Sequence, residues 1–120
     1  MGDVTLDELR GRFDEEGLVL IDVRTVHEFD GTAETPCDPR HGHIPGARNV
    51  PLDVLLESRS VDDVRSIVGL SPPVEVVAYC HTGSRSAFAV DVLRAAGYDA
   101  RNYVGSWHEW SRDSSLPTES

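Results

Sequence analysis

The chain has 120 residues, 39% of them hydrophobic, which is enough for one ordinary core, and no stretch approaches the ~20 apolar residues that a membrane span requires. Its formal net charge of −10 excludes nucleic acid and an anionic membrane surface as natural partners. The opening MGDVTLDEL has neither the basic nor the apolar region of a secretory signal, so the expected location is the cytoplasm. Cys37 and Cys80 are too few for a disulfide framework.

The first predicted element is a helix in TLDELRGRFDEEG: Thr5 caps it, Glu8 stands where a capping box needs it, and Leu6, Leu9 and Phe13 recur at helical spacing until Gly17. LVLID, residues 18–22, is a short continuous apolar run, as in a strand covered on both faces. VRTVHEFDG leads away from it. Residues 32–47, rich in Pro, Gly and polar side chains, read as a long surface loop. ARNV is a brief strand and LDVLLE a short apolar turn. SVDDVRSIVG reads as a helix capped by Ser60 and closed by Gly69, with Val61, Val64 and Ile67 or Val68 inward. VEVVAY, residues 74–79, is a second buried strand. The helix SRSAFAVDVLRAAG follows, with an apolar stripe of Phe88, Ala89, Val92, Leu93 and Ala96. ARNYV, residues 100–104, is a third strand, and residues 112–120 form a frayed tail. Strands alternating with helices in a single domain over 1–120 give an α/β fold with a central, mainly parallel sheet flanked by helices.

Cys80 ends the strand at 74–79, and in an open α/β sheet ligands sit beyond the carboxyl ends of the strands. The next helix starts near Ser84, so its free N–H groups face the loop of His81, Thr82, Gly83 and Ser84. Gly83 lets that loop curl, Arg85 brings a fixed positive charge, and Thr82, Ser84 and Ser86 bring hydroxyls. Each of these favours thiolate over thiol at Cys80 and would hold an anionic substrate. A Cys that merely ends a core strand needs no such loop.

Three blocks resemble the rhodanese-like sulfurtransferases. IDVRTVHEFDG…GHIPGARNVP (21–51) is similar to that family's first signature, YCHTGSRSA (79–87) to its active-site loop, and RNYVGSWHEW (101–110) to the closing motif of the catalytic domain of thiosulfate and mercaptopyruvate sulfurtransferases. The resemblance implies a rhodanese-like fold with helices on both faces of the sheet. It also implies a relay in which Cys80 takes sulfur from thiosulfate or mercaptopyruvate as a persulfide and passes it to cyanide, a thiol or an acceptor protein, with no cofactor and no metal. His81, Thr82, Gly83, Ser84 and Arg85 would bind the donor. In many thiosulfate-using members one or two basic residues follow the Cys directly; here His81 and Thr82 stand there, which leaves the donor open.

Asp22, Arg24, Glu28 and His43 lie in the first signature and are expected either to brace the loop or to hold the fold. Trp107 is expected at the pocket wall or in the core, and His81 as a donor to the leaving group or a solvent-facing residue. Cys37, His41 and His43 offer zinc-type ligands at an unusual spacing, and Cys37 alone is a second thiol. Two rivals stand beside the sulfurtransferase. One is a binding or sulfur-carrier module of the same fold. The other is a Cys-dependent phosphatase or arsenate reductase, whose loop has five residues between Cys and Arg; this loop has four, which removes about 3.5 Å of chain.

Overall fold

The computed structural model describes residues 2–33 and 36–120. In chain order the elements are α1 (Leu6–Arg10), β1 (Leu18–Asp22), α2 (Val26–Asp30), β2 (Arg48–Asn49), α3 (Leu52–Leu56), α4 (Val61–Val68), β3 (Glu75–Tyr79), α5 (Ser84–Ala95), β4 (Asp99–Asn102) and α6 (Ser106–Trp110). The strands form a four-stranded, all-parallel sheet in the order β2-β1-β3-β4. Among the described residues no helix is long and apolar enough to cross a membrane.

The two central strands carry apolar residues on both faces, as the runs LVLID and EVVAY require. Ile21, Val76, Ala78 and Cys80 point to one face and meet Leu55 of α3, Val64 and Val68 of α4, and Ala89, Val90 and Leu93 of α5. Leu20, Val77 and Tyr79 point to the other face and meet Leu9 of α1, Trp107 and Trp110 of α6, and Leu116. The expected α/β architecture with both faces covered is therefore present. Chain leaving β1 turns toward β2, and chain leaving β3 turns toward β4, so a crevice opens beyond the ends of the two central strands.

Several elements differ from the sequence expectation. The first helix stops at Arg10, where Gly11 caps it, and Arg12 beyond the cap grips Glu75 (2.5 and 2.9 Å) and Glu15. Thr5 accepts from the Glu8 amide, but the Glu8 carboxylate binds Arg101 instead of closing a capping box. The complete box lies at Thr25 and Glu28 and starts α2, in a stretch that reads as mere connection in the sequence. Phe88 is 64% exposed, so the buried stripe of α5 runs through Ala89, Val90, Leu93 and Ala96.

The stretch expected to fray is instead folded back on the body. Leu116 is buried, and the Trp110 indole donates to Pro117 O at 2.8 Å. His43 and Glu119 exchange backbone hydrogen bonds of 2.7 and 2.9 Å. The Arg40 guanidinium donates to the carbonyls of Trp110, Ser111, Asp113 and Leu116. One cation holding so many chain-end carbonyls is a long-range contact that local composition does not reveal.

Candidate active site

Cys80 is the residue after β3, at the mouth of the crevice, and has no exposed surface. The chain then reverses through Gly83, whose φ of 95° lies in the left-handed region, and enters α5. A Cβ on Gly83 would stand 2.6 Å from the Val104 carbonyl oxygen, so the close approach as well as the dihedral requires glycine. This turn brings the Gly83 amide to 3.1 Å from Cys80 Sγ. Burial alone would push the Cys80 thiol up. The Ser86 hydroxyl and the amides of Ser86, Gly83 and Thr82 outweigh it, and the thiol sits below its ordinary value.

The Ser86 hydroxyl is shared. It lies 3.4 Å from Cys80 Sγ, 3.2 Å from Gly83 O and 2.6 Å from Asn102 Oδ1, and it has a single proton to give. The Asn102 amide is itself oriented by its Nδ2 donating to Gly83 O at 3.1 Å. Below the cradle, the Cys80 amide donates to Ser106 Oγ at 3.1 Å, and that hydroxyl donates to Tyr103 O at 2.8 Å. Ser106 takes φ 55°, a left-handed conformation unusual for a residue with a Cβ. Ser86, Asn102 and Ser106 are all buried. Sequence reasoning names Ser86 only as a hydroxyl donor and passes over Asn102 and Ser106. The Gly-Ser pair opening GSWHEW is the signal that points to the last of these.

Arg85 does not lean over the sulfur. Its guanidinium grips Glu28, Nη1 to Oε1 at 2.8 Å and Nη2 to Oε2 at 3.1 Å. Glu28 Oε1 also accepts from the Thr25 amide, so the capping carboxylate of α2 is the partner of the loop arginine. Arg24 is buried and forks onto Asp22 at 2.7–3.1 Å, reaches Gly42 O at 2.6 Å, and lies over the Trp107 ring at 5.0 Å. The expected brace thus divides into two ion pairs, Asp22–Arg24 and Glu28–Arg85. His43 joins neither: its Nδ1 meets Phe29 O at 2.7 Å and its ring stacks on Phe29.

Trp107 is wholly buried on the opposite face of the sheet from Cys80, with its indole donating to Arg40 O at 3.1 Å, so it is core and not pocket wall. Thr82 and Ser84 are exposed at the rim. His81 turns aside to Asp38, with Nε2 at 2.9 Å from Oδ1. Among the described residues Cys37, His41 and His43 do not converge; Cys37 comes instead to Asp38 and His81. Beside the loop, Val23, Thr25, Pro51, Leu52, Leu56 and Arg85 line a cleft of about 270 Å³, which contains one edge of the arginine but not the cysteine.

Fold and site together define an open α/β protein with an anion-stabilising loop closed around a thiol at its topological switch point. The rhodanese-like domain family model matches residues 5–113, and the chain belongs to that family. It is 32% identical to the thiosulfate sulfurtransferase of Pseudomonas aeruginosa, over 96% of this chain and 45% of that protein. It is 37% identical to the thiosulfate sulfurtransferase of Corynebacterium glutamicum, over 86% of this chain and 38% of that one. A crystal structure of a probable thiosulfate sulfurtransferase is 46% identical and superposes with a TM-score of 0.83, over 98% of this chain and 47% of that chain. The chain therefore spans less than half the length of these relatives.

Proposed function

We propose that the protein is a sulfurtransferase that carries sulfane sulfur on Cys80. The observation that carries this reading is the convergence of the loop amides and the Ser86 hydroxyl on Cys80 Sγ. The thiolate attacks the outer sulfur of thiosulfate; the S–S bond breaks and its electron pair leaves with sulfite. The product is a persulfide anion, and the same N–H groups that hold the thiolate face the sulfur it has gained. An acceptor such as cyanide or a thiol attacks the outer sulfur and returns Cys80 as thiolate. Thr82, Gly83 and Ser84 supply the rim past which the donor enters, and Arg85 the loop's cation, its charge moderated by Glu28. A reducing compartment, the cytoplasm, suits a free thiol.

Mercaptopyruvate is the second donor on this reading, and an acceptor protein is an alternative destination for the sulfur. The phosphatase reading has a specific observation against it: an arginine bound by both nitrogens to Glu28 is not free to clamp a phosphate. Intact mass after treatment with thiosulfate or mercaptopyruvate tests the proposal. Gain of one sulfur atom on Cys80, its loss on adding cyanide, and its absence in Cys80→Ser are expected. Thiocyanate formation by Cys80→Ser at the parent rate overturns the assignment.

A further inference from the structure

A second cluster of chemistry-bearing groups lies beside the Cys80 loop, and the sulfur relay uses none of it as a group. Cys37 Sγ lies 3.8 Å from His81 Nε2 and 4.0 Å from Asp38 Oδ1, and His81 Nε2 lies 2.9 Å from that same oxygen. The three come from two distant segments, the long loop after α2 and the turn after β3. The Asp38 side chain is wholly buried, and among the described residues its Oδ2 has no hydrogen-bond partner. A buried carboxylate oxygen left unmatched costs free energy, and native proteins rarely leave one without a reason.

We propose that Cys37, Asp38 and His81 form a binding site for a thiophilic divalent cation of the Zn2+ class. Zn–S bonds of about 2.3 Å and Zn–N or Zn–O bonds of about 2.0–2.1 Å, set at tetrahedral angles, separate the ligand atoms by roughly 3.3–3.6 Å. The observed separations of 2.9–4.0 Å bracket that range, so shifts of a few tenths of an ångström complete three corners of a tetrahedron. One thiolate, one carboxylate and one neutral imidazole balance a divalent cation and favour zinc-like ions over Mg2+ or Ca2+, which prefer oxygen alone. Arg112 stands at the edge: its Nη1 is 3.6 Å from Asp38 Oδ1, and its Nη2 donates to the Cys37 carbonyl. That second bond fixes the backbone of the cysteine ligand. The same Nη1 donates to His108 O at 2.8 Å, so two backbone carbonyls hold Arg112 in place and its 3.6 Å approach to Oδ1 is not a hydrogen bond that an arriving cation must break. Cys37 is exposed, which gives the ion its path. A plain His81–Asp38 ion pair accounts for the 2.9 Å contact on Oδ1 but not for the thiol beside it, and it leaves Oδ2 unmatched where a cation can draw on both carboxylate oxygens.

The test reads the metal itself and is independent of sulfur transfer. In Cys80→Ser, Cys37 is the only remaining thiol. Titrating this variant of the 120-residue chain with Cd2+ should give an ultraviolet thiolate-to-metal charge-transfer band that saturates at one equivalent. Zn2+ should displace the Cd2+ and should itself compete with a chromophoric chelator. Adding Cys37→Ser should abolish the band. Asp38→Asn and His81→Ala should each weaken binding tenfold or more, with thermal melts in the absence of metal reporting that the variants are folded. A band that survives loss of Cys37, binding indifferent to both Asp38→Asn and His81→Ala, or no saturable band at all overturns the site.

Discussion

Arg85 and Glu28 are joined by two parallel hydrogen bonds across 57 residues of chain, with Arg85 one-third exposed and Glu28 mostly covered. The cation of the Cys80 loop is thus partly neutralised, and the two partners should act on donor capture with opposite signs. Arg85→Ala should raise KM for thiosulfate about three- to tenfold, below the roughly tenfold or greater cost of deleting an undivided charge-assisted contact. Glu28→Gln leaves the guanidinium unpaired and should lower KM. Steady-state kinetics on both variants decide the point: a rise in KM of the same size in each means that the pair serves only the fold.

The same pair predicts an acid dependence of stability. Burial alone would raise the Glu28 carboxyl, but the Arg85 hydrogen bonds and the Thr25 amide take it from 4.5 down to about 2. A carboxylate whose folded value is depressed stabilises fully above its unfolded value, and that contribution fades as pH falls from about 4.5 toward 2. With the exposure of Arg85 allowed for, it should be on the order of 1–2 kcal/mol. Urea unfolding of the parent and Glu28→Gln should differ by this amount at pH 7 and converge near pH 2. A gap that persists unchanged into acid means that Glu28 contributes through packing and not through charge.

Ser86 tests how the sulfur anion is held. If its single proton is given to Cys80 when the thiolate forms, Ser86→Ala should slow alkylation of Cys80 at neutral pH about five- to tenfold, the net worth of one hydrogen bond of ~1–1.5 kcal/mol. Timed mass spectrometry with a small haloacetamide measures it. An unchanged rate means that the proton stays on Asn102, 2.6 Å away, and that the amides alone do the work.

Gly83→Ala should be the most damaging single methyl in the loop. The new Cβ meets the Val104 carbonyl at 2.6 Å, a backbone atom that cannot swing aside, at a φ of 95° that a side chain resists. A loss of roughly 1–3 kcal/mol in stability is expected. Sulfur transfer should fall by at least tenfold, since the displaced amide no longer reaches Sγ. Calorimetry and thiocyanate formation follow the two effects, and full activity would show that the Gly83 N–H is dispensable.

What the sequence makes legible is what it encodes locally. An apolar run ending in Cys80, followed by a glycine and a helix pattern, places a thiol at a strand end without knowledge of the fold. The capping box of Thr25 and Glu28 is equally local and could have revealed α2. The partner of Arg85 could not be read, because Glu28 also satisfies the cap and nothing nearby in sequence says that its carboxylate is wanted twice. Asn102 and Ser106 sit in what reads as strand and turn, and their roles exist only once β4 lies beside β3. Trp107 shows the reverse: an aromatic in a signature motif invites a place in the pocket, while its face of the sheet assigns it to the core. Asp38 is an unremarked loop acid until the fold buries it against His81.

The complete enclosure of Cys80 has a kinetic consequence. The sulfur presents no surface in the resting conformation, so a reagent meets it only after a neighbouring group gives way. A rate measured at this thiol then contains that displacement as well as the chemical step. Small, compact reagents need the least displacement, and bulky disulfides and protein thiols need more.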